Sequence, residues 1–196
     1  MPRKKSIKKS AQEFKLQADA ISTFLMTVSL NLSEQHISWL YNYAIIRLYR
    51  EFEILMLHVL IGAINNDTTI LTSTTGISFP KHLSDEVCQF LIIGTGYFDF
   101  KGRDGLVKTL KKFVPDDHYV MTIVKKSDYK DALEKLFALR NFAAHESVPS
   151  KKAVLNALGQ KRIHSSGAWL KQKCRFDTIK DKLNDLASEI EQNAPY

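Results

Sequence analysis

The sequence contains few of the residues that interrupt helices or cross-link chains. Its 196 residues include five prolines, eight glycines and two cysteines. Because proline and glycine are unfavourable inside helices, their scarcity beside long periodic apolar runs favours helix over sheet. Neither Cys88 nor Cys174 has a second cysteine or a histidine at ligand spacing. We therefore expect two buried thiols in a reducing compartment, and no zinc site.

Long hydrophobic runs and secretion signals are also missing. The most apolar run, residues 54–64, contains His58 and is about half the ~20 residues that a membrane span needs. The basic residues 1–9 are not followed by an apolar signal core, which predicts a soluble, cytoplasmic protein with a disordered N-terminal arm. Residues 10–196 are long enough for a single domain with its own core.

Several common catalytic motifs are absent as well. The glycines between residues 94 and 105 do not form the GxGxxG dinucleotide fingerprint, and there is no Walker sequence. The histidines outside the segment 139–145 are scattered without metal-ligand spacing, and no serine occupies a nucleophile elbow. We therefore expect neither a metal nor a cofactor.

Apolar periodicity predicts an all-α bundle of four or five main helices. The strongest helix is expected over residues 34–63, where two apolar stripes predict a central position among several neighbours or at a subunit interface. Residues 65–83, rich in Ser and Thr, are expected to form one long loop. The other helices are expected at residues 10–30, 84–93, 104–113, 150–158 and 168–192, and between Ser127 and Pro149. We expect Ser84 and Ser150 to cap the helices that they begin, Gly159 to end the helix over residues 150–158, and residues 94–102 to form an irregular connection.

The most informative stretch reads Leu-Arg-Asn-Phe-Ala-Ala-His over residues 139–145. At 100° per residue, Asn141 and His145 share one face of a helix. Arg140 offers a planar cationic fork that suits phosphate, and His145 has an unperturbed pKa near neutrality. An arginine and a histidine are the minimum for metal-free phosphodiester chemistry. Cations near a helix C-terminus also stabilise the helix, so the spacing alone leaves a purely structural role open.

The positive charge is unevenly distributed. The net charge of +7 makes polyanions reasonable partners, and residues 147–176 contain cations but no carboxylate. This stretch is either a track for nucleic acid or a solvated surface. Its seven cations are Lys151, Lys152, Lys161, Arg162, Lys171, Lys173 and Arg175.

Glu53 has two interpretations within the strongest helix. Either it pairs on the surface with Arg50, three residues earlier, or it faces a buried arginine.

The motif Arg140–His145, in a helix of an all-α chain whose second long helix carries Phe52-Glu53, resembles the signature of HEPN domains. It is most similar to the RiboL-PSP-like group. The resemblance covers about residues 15–190, but its specific part is six or seven residues long. It implies an HEPN-like fold and a metal-independent endoribonuclease that acts as a homodimer, with the Arg and His of both subunits in one composite cleft.

The resemblance also implies roles for individual residues. His145 would act as general acid or base, and Arg140 would stabilise the charged transition state. Asn141 would orient either this pair or the phosphate, and Glu53 would support Arg140. Some HEPN toxins carry a tyrosine, modified by a partner nucleotidyltransferase, where this chain has Ser147, so control by that partner is not implied here.

The expected partners are RNA, a second copy of the chain, and an antitoxin or other regulatory protein. The expected biological role is that of a toxin or phage-defence effector whose cleavage leaves a 2′,3′-cyclic phosphate. A non-catalytic HEPN-like module that binds RNA or protein is the alternative.

Overall fold

The computed structural model describes residues 4–30 and 32–195, and all regular secondary structure in these residues is helical. This confirms the predicted all-α class. None of the described helices combines the length and the apolarity needed to cross a membrane. In chain order, the helices are α1 (Ile7–Ser29), α2 (Glu34–Asn66), α3 (Thr68–Thr75), α4 (Asp85–Ile93), α5 (Gly102–Leu110), α6 (Tyr119–Lys125), α7 (Ser127–His145), α8 (Val148–Leu158), α9 (Ser166–Leu170) and α10 (Arg175–Asn193).

Helix α2 lies at the centre of the fold, as its two apolar stripes predicted. Its 33 residues span ~50 Å, and it packs against α1, α3, α4, α7, α9 and α10. Between Leu55 and Ile64, only Leu57 and His58 keep partial exposure. Burial of each large apolar side chain contributes about 1.5–3 kcal/mol, so α2 supplies much of the stability of the core.

Serine side chains cap several helices at their N-termini. The hydroxyl groups of Ser6, Ser33, Ser84 and Ser165 each accept a hydrogen bond from the backbone amide three residues later. Such a cap contributes about 1 kcal/mol. Ser84 was expected in this role, and Gly159 ends α8 in the left-handed conformation, as predicted.

Helix α1 begins earlier than the sequence suggested. Ser6 caps the helix and Ile7 is fully buried beside Gly62 of α2, where a larger residue would collide with the Ile7 side chain. The prediction of a disordered arm over residues 1–9 is therefore wrong for residues 7–9. Its residues 1–3 lie outside the described part of the chain.

The Ser/Thr-rich segment is not one long loop. Helix α2 continues to Asn66, and α3 follows after Asp67, whose carboxylate accepts a hydrogen bond from the Thr69 amide at 3.0 Å. Leu71 is buried, and α3 packs against α2. The expected loop over residues 65–83 is therefore wrong in its first half, because packing compensates for the weak helix propensity of threonine.

The end of the chain also differs from the expectation of one helix over residues 168–192. Helix α9 stops at Leu170 and α10 starts at Arg175, with Lys173 and Cys174 at positive φ angles of 53° and 52° between them. Cys174 is exposed, whereas Cys88 is buried. The prediction of two buried thiols is therefore right only for Cys88.

Two shorter helices also differ from the expectations. Helix α6 was not predicted. Helix α8 is capped by Ser147, which forms a reciprocal capping box with Ser150, so the helix starts two residues before Ser150, the expected cap.

Helix α9 joins α7 to α2 through a close backbone contact. The buried Gly167 donates its amide hydrogen to Oδ1 of Asn42 at 2.6 Å, and Ser166 donates its hydroxyl hydrogen to the Leu139 carbonyl at 2.7 Å. A Cβ atom on Gly167 would overlap the carbonyl of Ser38 and lie 2.9 Å from the amide nitrogen of Asn42. Only glycine fits this contact without moving α9.

We predict that Gly167→Ala destabilises the fold by about 1–3 kcal/mol, because the added methyl group meets backbone atoms that cannot rotate away. Urea unfolding followed by circular dichroism measures the change. Gly105→Ala is the matched control, because a Cβ there makes only ordinary contacts, the nearest at 3.4 Å within α5. The control should be neutral or more stable by up to about 1 kcal/mol. Equal stability of Gly167→Ala and wild type would contradict the close approach of α9 to α2.

Candidate active site

Arg140 lies on α7 and is held by two neighbours. Its guanidinium carbon lies 4.6 Å from the centre of the Tyr49 ring, a cation–π geometry. Its Nη1 atom donates a hydrogen bond to Oδ1 of Asn141 at 2.8 Å. Helix α2 and the adjacent amide therefore orient the arginine before any ligand arrives. Asn141 contacts Arg140 directly, which is the contact that its expected role requires.

The guanidinium group lines a cavity of about 560 Å³ between α2, α4, α7 and the non-helical residues 94–101. Glu53 and Arg140 both line this cavity. The remaining lining residues are Arg50, Ile54, Leu57, Gln89, Ile93, Tyr97, Phe98 and Asp99.

Glu53 is the most strongly perturbed acid in the cavity. Burial raises its pKa from the ordinary value of 4.5 to about 7. The positive charge of Arg140 lowers the pKa and the negative charge of Asp99 raises it. Both Arg140 and Arg50 lower this pKa and both line the cavity, so both interpretations of Glu53 stay open. A carboxyl group with this pKa exchanges its proton near neutral pH.

Tyr49 connects the cavity to the core. Its buried hydroxyl donates a hydrogen bond to the Phe100 carbonyl at 2.9 Å, with Oδ1 of Asp99 at 3.4 Å. Burial, followed by the charges of Glu53 and Asp99, raises the pKa of Tyr49 far above its ordinary value, so the phenol stays neutral. The ring also packs on Phe100, with centroids 5.5 Å apart. Tyr49 thus fixes residues 99–100 against α2.

His145 does not line this cavity. It is the last residue of α7 and its side chain is exposed. It lies five positions after Arg140, which corresponds to about 7.5 Å along the helix and about 140° around it. One chain therefore presents Arg140 and His145 in different directions.

The backbone around His145 is open to a close approach. Ala144 is exposed beside it, and Glu146 leaves the helix with a left-handed φ of 44°. Val148, the first residue of α8, is 84% exposed. Its neighbours along the chain, Ala144, Glu146 and Ser147, are all exposed, so solvent reaches His145 from the outer surface.

The basic stretch divides into two groups. Lys171 pairs with the Glu34 carboxylate at 2.6 Å and also donates to the Glu34 carbonyl, and Arg175 stacks on Trp169 and donates to its carbonyl at 3.1 Å. These two cations stabilise the fold. The other five have exposed side chains, and they are Lys151, Lys152, Lys161, Arg162 and Lys173.

Most residues of the cavity wall were not among the candidate site residues predicted from the sequence. Tyr97 and Asp99 were assigned only to an irregular connection, and Gln89 only to a short helix. The dense aromatic and acidic run Tyr97-Phe98-Asp99-Phe100 was the available signal. It did not indicate which helix the run packs against.

Comparisons with protein-family models, with curated proteins and with solved structures found no match to this chain.

We predict that Glu53 makes stability fall as pH rises. Its folded pKa of about 7 lies above the ordinary 4.5, so between these values the folded protein binds more protons than the unfolded chain. The contribution is fully present below about pH 4.5 and is lost as pH approaches about 7. Glu53→Gln cannot titrate and should lack this fall. Thermal midpoints of both proteins from pH 4 to 8 measure the difference.

The control for this experiment is Glu13→Gln, which removes an exposed carboxyl group from α1. It should keep the pH dependence of wild type. If the thermal midpoint of Glu53→Gln fell with rising pH as steeply as that of wild type, the carboxyl group of Glu53 would not be the cause of the fall.

Proposed function

We propose that this chain is a metal-independent endoribonuclease with an HEPN-like fold, which acts as a homodimer with a composite Arg/His active site. The observation that carries the proposal is the placement of Arg140. Its guanidinium group is held by Tyr49 and Asn141 and opens on a cavity that contains a proton-exchanging carboxyl group. A preoriented guanidinium group suits a phosphate whose negative charge increases in the transition state.

The proposed reaction is internal transfer of the phosphoryl group. His145 removes the proton of a ribose 2′-hydroxyl, the 2′-oxygen bonds to phosphorus, and the bond to the 5′-oxygen breaks. The leaving 5′-oxygen takes a proton from water, and the His145 imidazolium returns its proton to the solvent. The products are a 2′,3′-cyclic phosphate and a 5′-hydroxyl. Arg140 stabilises the charge on the phosphorane-like transition state, and Asn141 orients Arg140.

The need for a second copy follows from the position of His145. Because it lies outside the cavity of its own chain, a composite site requires the histidine of a partner. Trp39 and Tyr43 on α2 are 51% and 71% exposed, and Val148 follows His145 closely. Trp39 and Tyr43 lie one turn apart on the same face of α2, so in this proposal that face takes part in the subunit interface.

The biological role in this proposal is that of a toxin or phage-defence effector held in check by an antitoxin or other regulatory protein. It rests on the family resemblance of residues 139–145. Ser147 occupies the position where some HEPN toxins carry the modified tyrosine, and here it takes part in the capping box of α8. A modification at this position would therefore disturb the N-terminus of α8.

A non-catalytic HEPN-like module is the second candidate, and a specific observation favours it. Within one chain, His145 and the cavity containing Arg140 are separate, while exposed cations still offer contacts to RNA phosphates. Such a module would bind RNA or protein without cutting RNA.

We expect the purified protein to cleave RNA in the presence of EDTA, and to have about twice the 22.4 kDa mass of one chain in sedimentation. Arg140→Ala and His145→Ala should each lower the cleavage rate at least ~100-fold, because each removes charge stabilisation or proton transfer. The measurement is the rate of cleavage of a labelled RNA, with the cyclic phosphate identified by mass spectrometry.

His164→Ala is the matched control, because it removes another exposed histidine. It should retain the wild-type rate, and circular dichroism should show unchanged helicity in every variant. Cleavage that depends on added metal, or full activity in both motif variants, would overturn the ribonuclease proposal. RNA binding without any cleavage would favour the non-catalytic module.

The exposed cations should contribute to RNA affinity through phosphate contacts. Lys151→Gln and Lys152→Gln should each flatten the slope of log K against log[salt] by up to about one unit. Lys171→Gln is the control, because its ammonium group is already paired with Glu34. Fluorescence anisotropy with single-stranded RNA at several salt concentrations measures the slopes. Identical slopes for all proteins would assign these lysines to the solvated surface.

A further inference from the structure

The cavity beside Arg140 contains side chains that phosphoryl transfer does not need. The reaction uses the guanidinium end, but Gln89, Tyr97 and Asp99 line the opposite walls on α4 and on residues 94–101. The cavity volume of about 560 Å³ is within the range of small-ligand sites, which are about 300–1,000 Å³. These walls therefore have room for a part of the substrate other than the phosphate.

Tyr97 presents an aromatic ring to solvent at the edge of the cavity. Its side chain is 96% exposed, although the same segment is anchored three residues later by the buried Phe100. The Phe100 ring packs on Tyr49 and on Phe52, with centroids 5.5 Å and 6.0 Å apart. An exposed ring on an anchored segment is a suitable platform on which an unstacked nucleobase stacks.

Asp99 adds a directional acceptor to this platform. Its carboxylate is exposed, lines the cavity and has one oxygen 3.4 Å from the Tyr49 hydroxyl. A carboxylate only accepts hydrogen bonds, and its two oxygens match two donors side by side. Among the RNA bases, guanine carries such a pair, N1–H and N2–H, on its Watson–Crick edge.

The cations in the cavity are placed to complete this recognition. Arg50 and Arg140 balance the charges of Glu53 and Asp99, so the lining is close to neutral when all four are ionised. Arginine is the usual partner of guanine O6 and N7 and also of phosphate. Adenine, cytosine and uracil each place an acceptor beside a donor on the same edge, and that acceptor would face the carboxylate of Asp99.

We propose that this cavity holds a guanine base of the RNA, with Tyr97 stacked on the base and Asp99 accepting hydrogen bonds from N1–H and N2–H. The base then lies beside Arg140, which is free to contact an adjacent phosphate. This inference rests on the proposed function for its RNA ligand and adds a base preference to the same site. It gives Tyr97 and Asp99 a role in base recognition, since neither residue takes part in the proposed cleavage step.

The test is binding of the 3′-monophosphates of guanosine, adenosine, cytidine and uridine to the full chain, measured by calorimetry at low salt. We expect guanosine monophosphate to bind at least about tenfold more tightly than the other three. Asp99→Asn should abolish this preference, because an amide presents one donor and one acceptor. Tyr97→Ala should weaken all four nucleotides, and Tyr97→Phe should restore binding.

Asp117→Asn is the charge-matched control, since Asp117 is exposed and does not line the cavity. It should bind all four nucleotides as wild type does. Equal affinities for the four bases in wild type, or a guanine preference that survives Asp99→Asn with the fold intact, would overturn the proposal.

A competition experiment separates the two sources of a guanine base. A short single-stranded oligoribonucleotide with one guanine should displace bound guanosine monophosphate more effectively than GTP does, because further phosphates reach the exposed lysines. Stronger displacement by GTP would overturn the assignment to RNA.

Since binding is measured without cleavage, selective guanine binding in a chain that does not cut RNA would refute only the ribonuclease proposal. Cleavage without base preference would refute only the guanine pocket.

Discussion

The burial of α2 on nearly all sides is the constraint on which the rest of the fold depends. Six other helices pack against it, and between Leu55 and Ile64 only Leu57 and His58 keep partial exposure. A helix so placed cannot shift without disturbing every neighbour, because protein interiors are close-packed. It therefore fixes the directions of Tyr49 and Glu53, and through the Tyr49 ring it also orients Arg140 on α7.

The candidate site lies beside this apolar core, where charged side chains line a cavity. Glu53 and Arg140 are both half-buried, and Tyr49 contributes an aromatic face to the arginine and a hydroxyl group to residues 99–100. Half-burial raises the pKa of Glu53 toward neutrality while the cavity remains open to solvent. The same helix that supplies the core thus also supplies a group that exchanges protons. His145 is outside this environment, so the chemistry assigned to it requires a surface contributed by another chain.

Much of the helical pattern could be predicted because its causes are local. The cap at Ser84, the left-handed end at Gly159 and the central position of α2 follow from residues within a few positions of one another. The errors occurred where distant contacts decided the outcome. Ile7 is ordered by packing beside Gly62, α3 forms because Leu71 is buried on α2, and the last helix breaks before Arg175, where α9 packs closely on Ser38.

By itself, the sequence determined the all-α class and the helix that carries Arg140, Asn141 and His145. Only the tertiary structure decided that Glu53, Asp99 and Arg140 share one cavity and that His145 does not. Helix periodicity relates residues up to about four positions apart, whereas these three lie more than forty positions from one another. Their meeting depends on how α2 and α7 pack against each other and on where Tyr49 anchors residues 99–100.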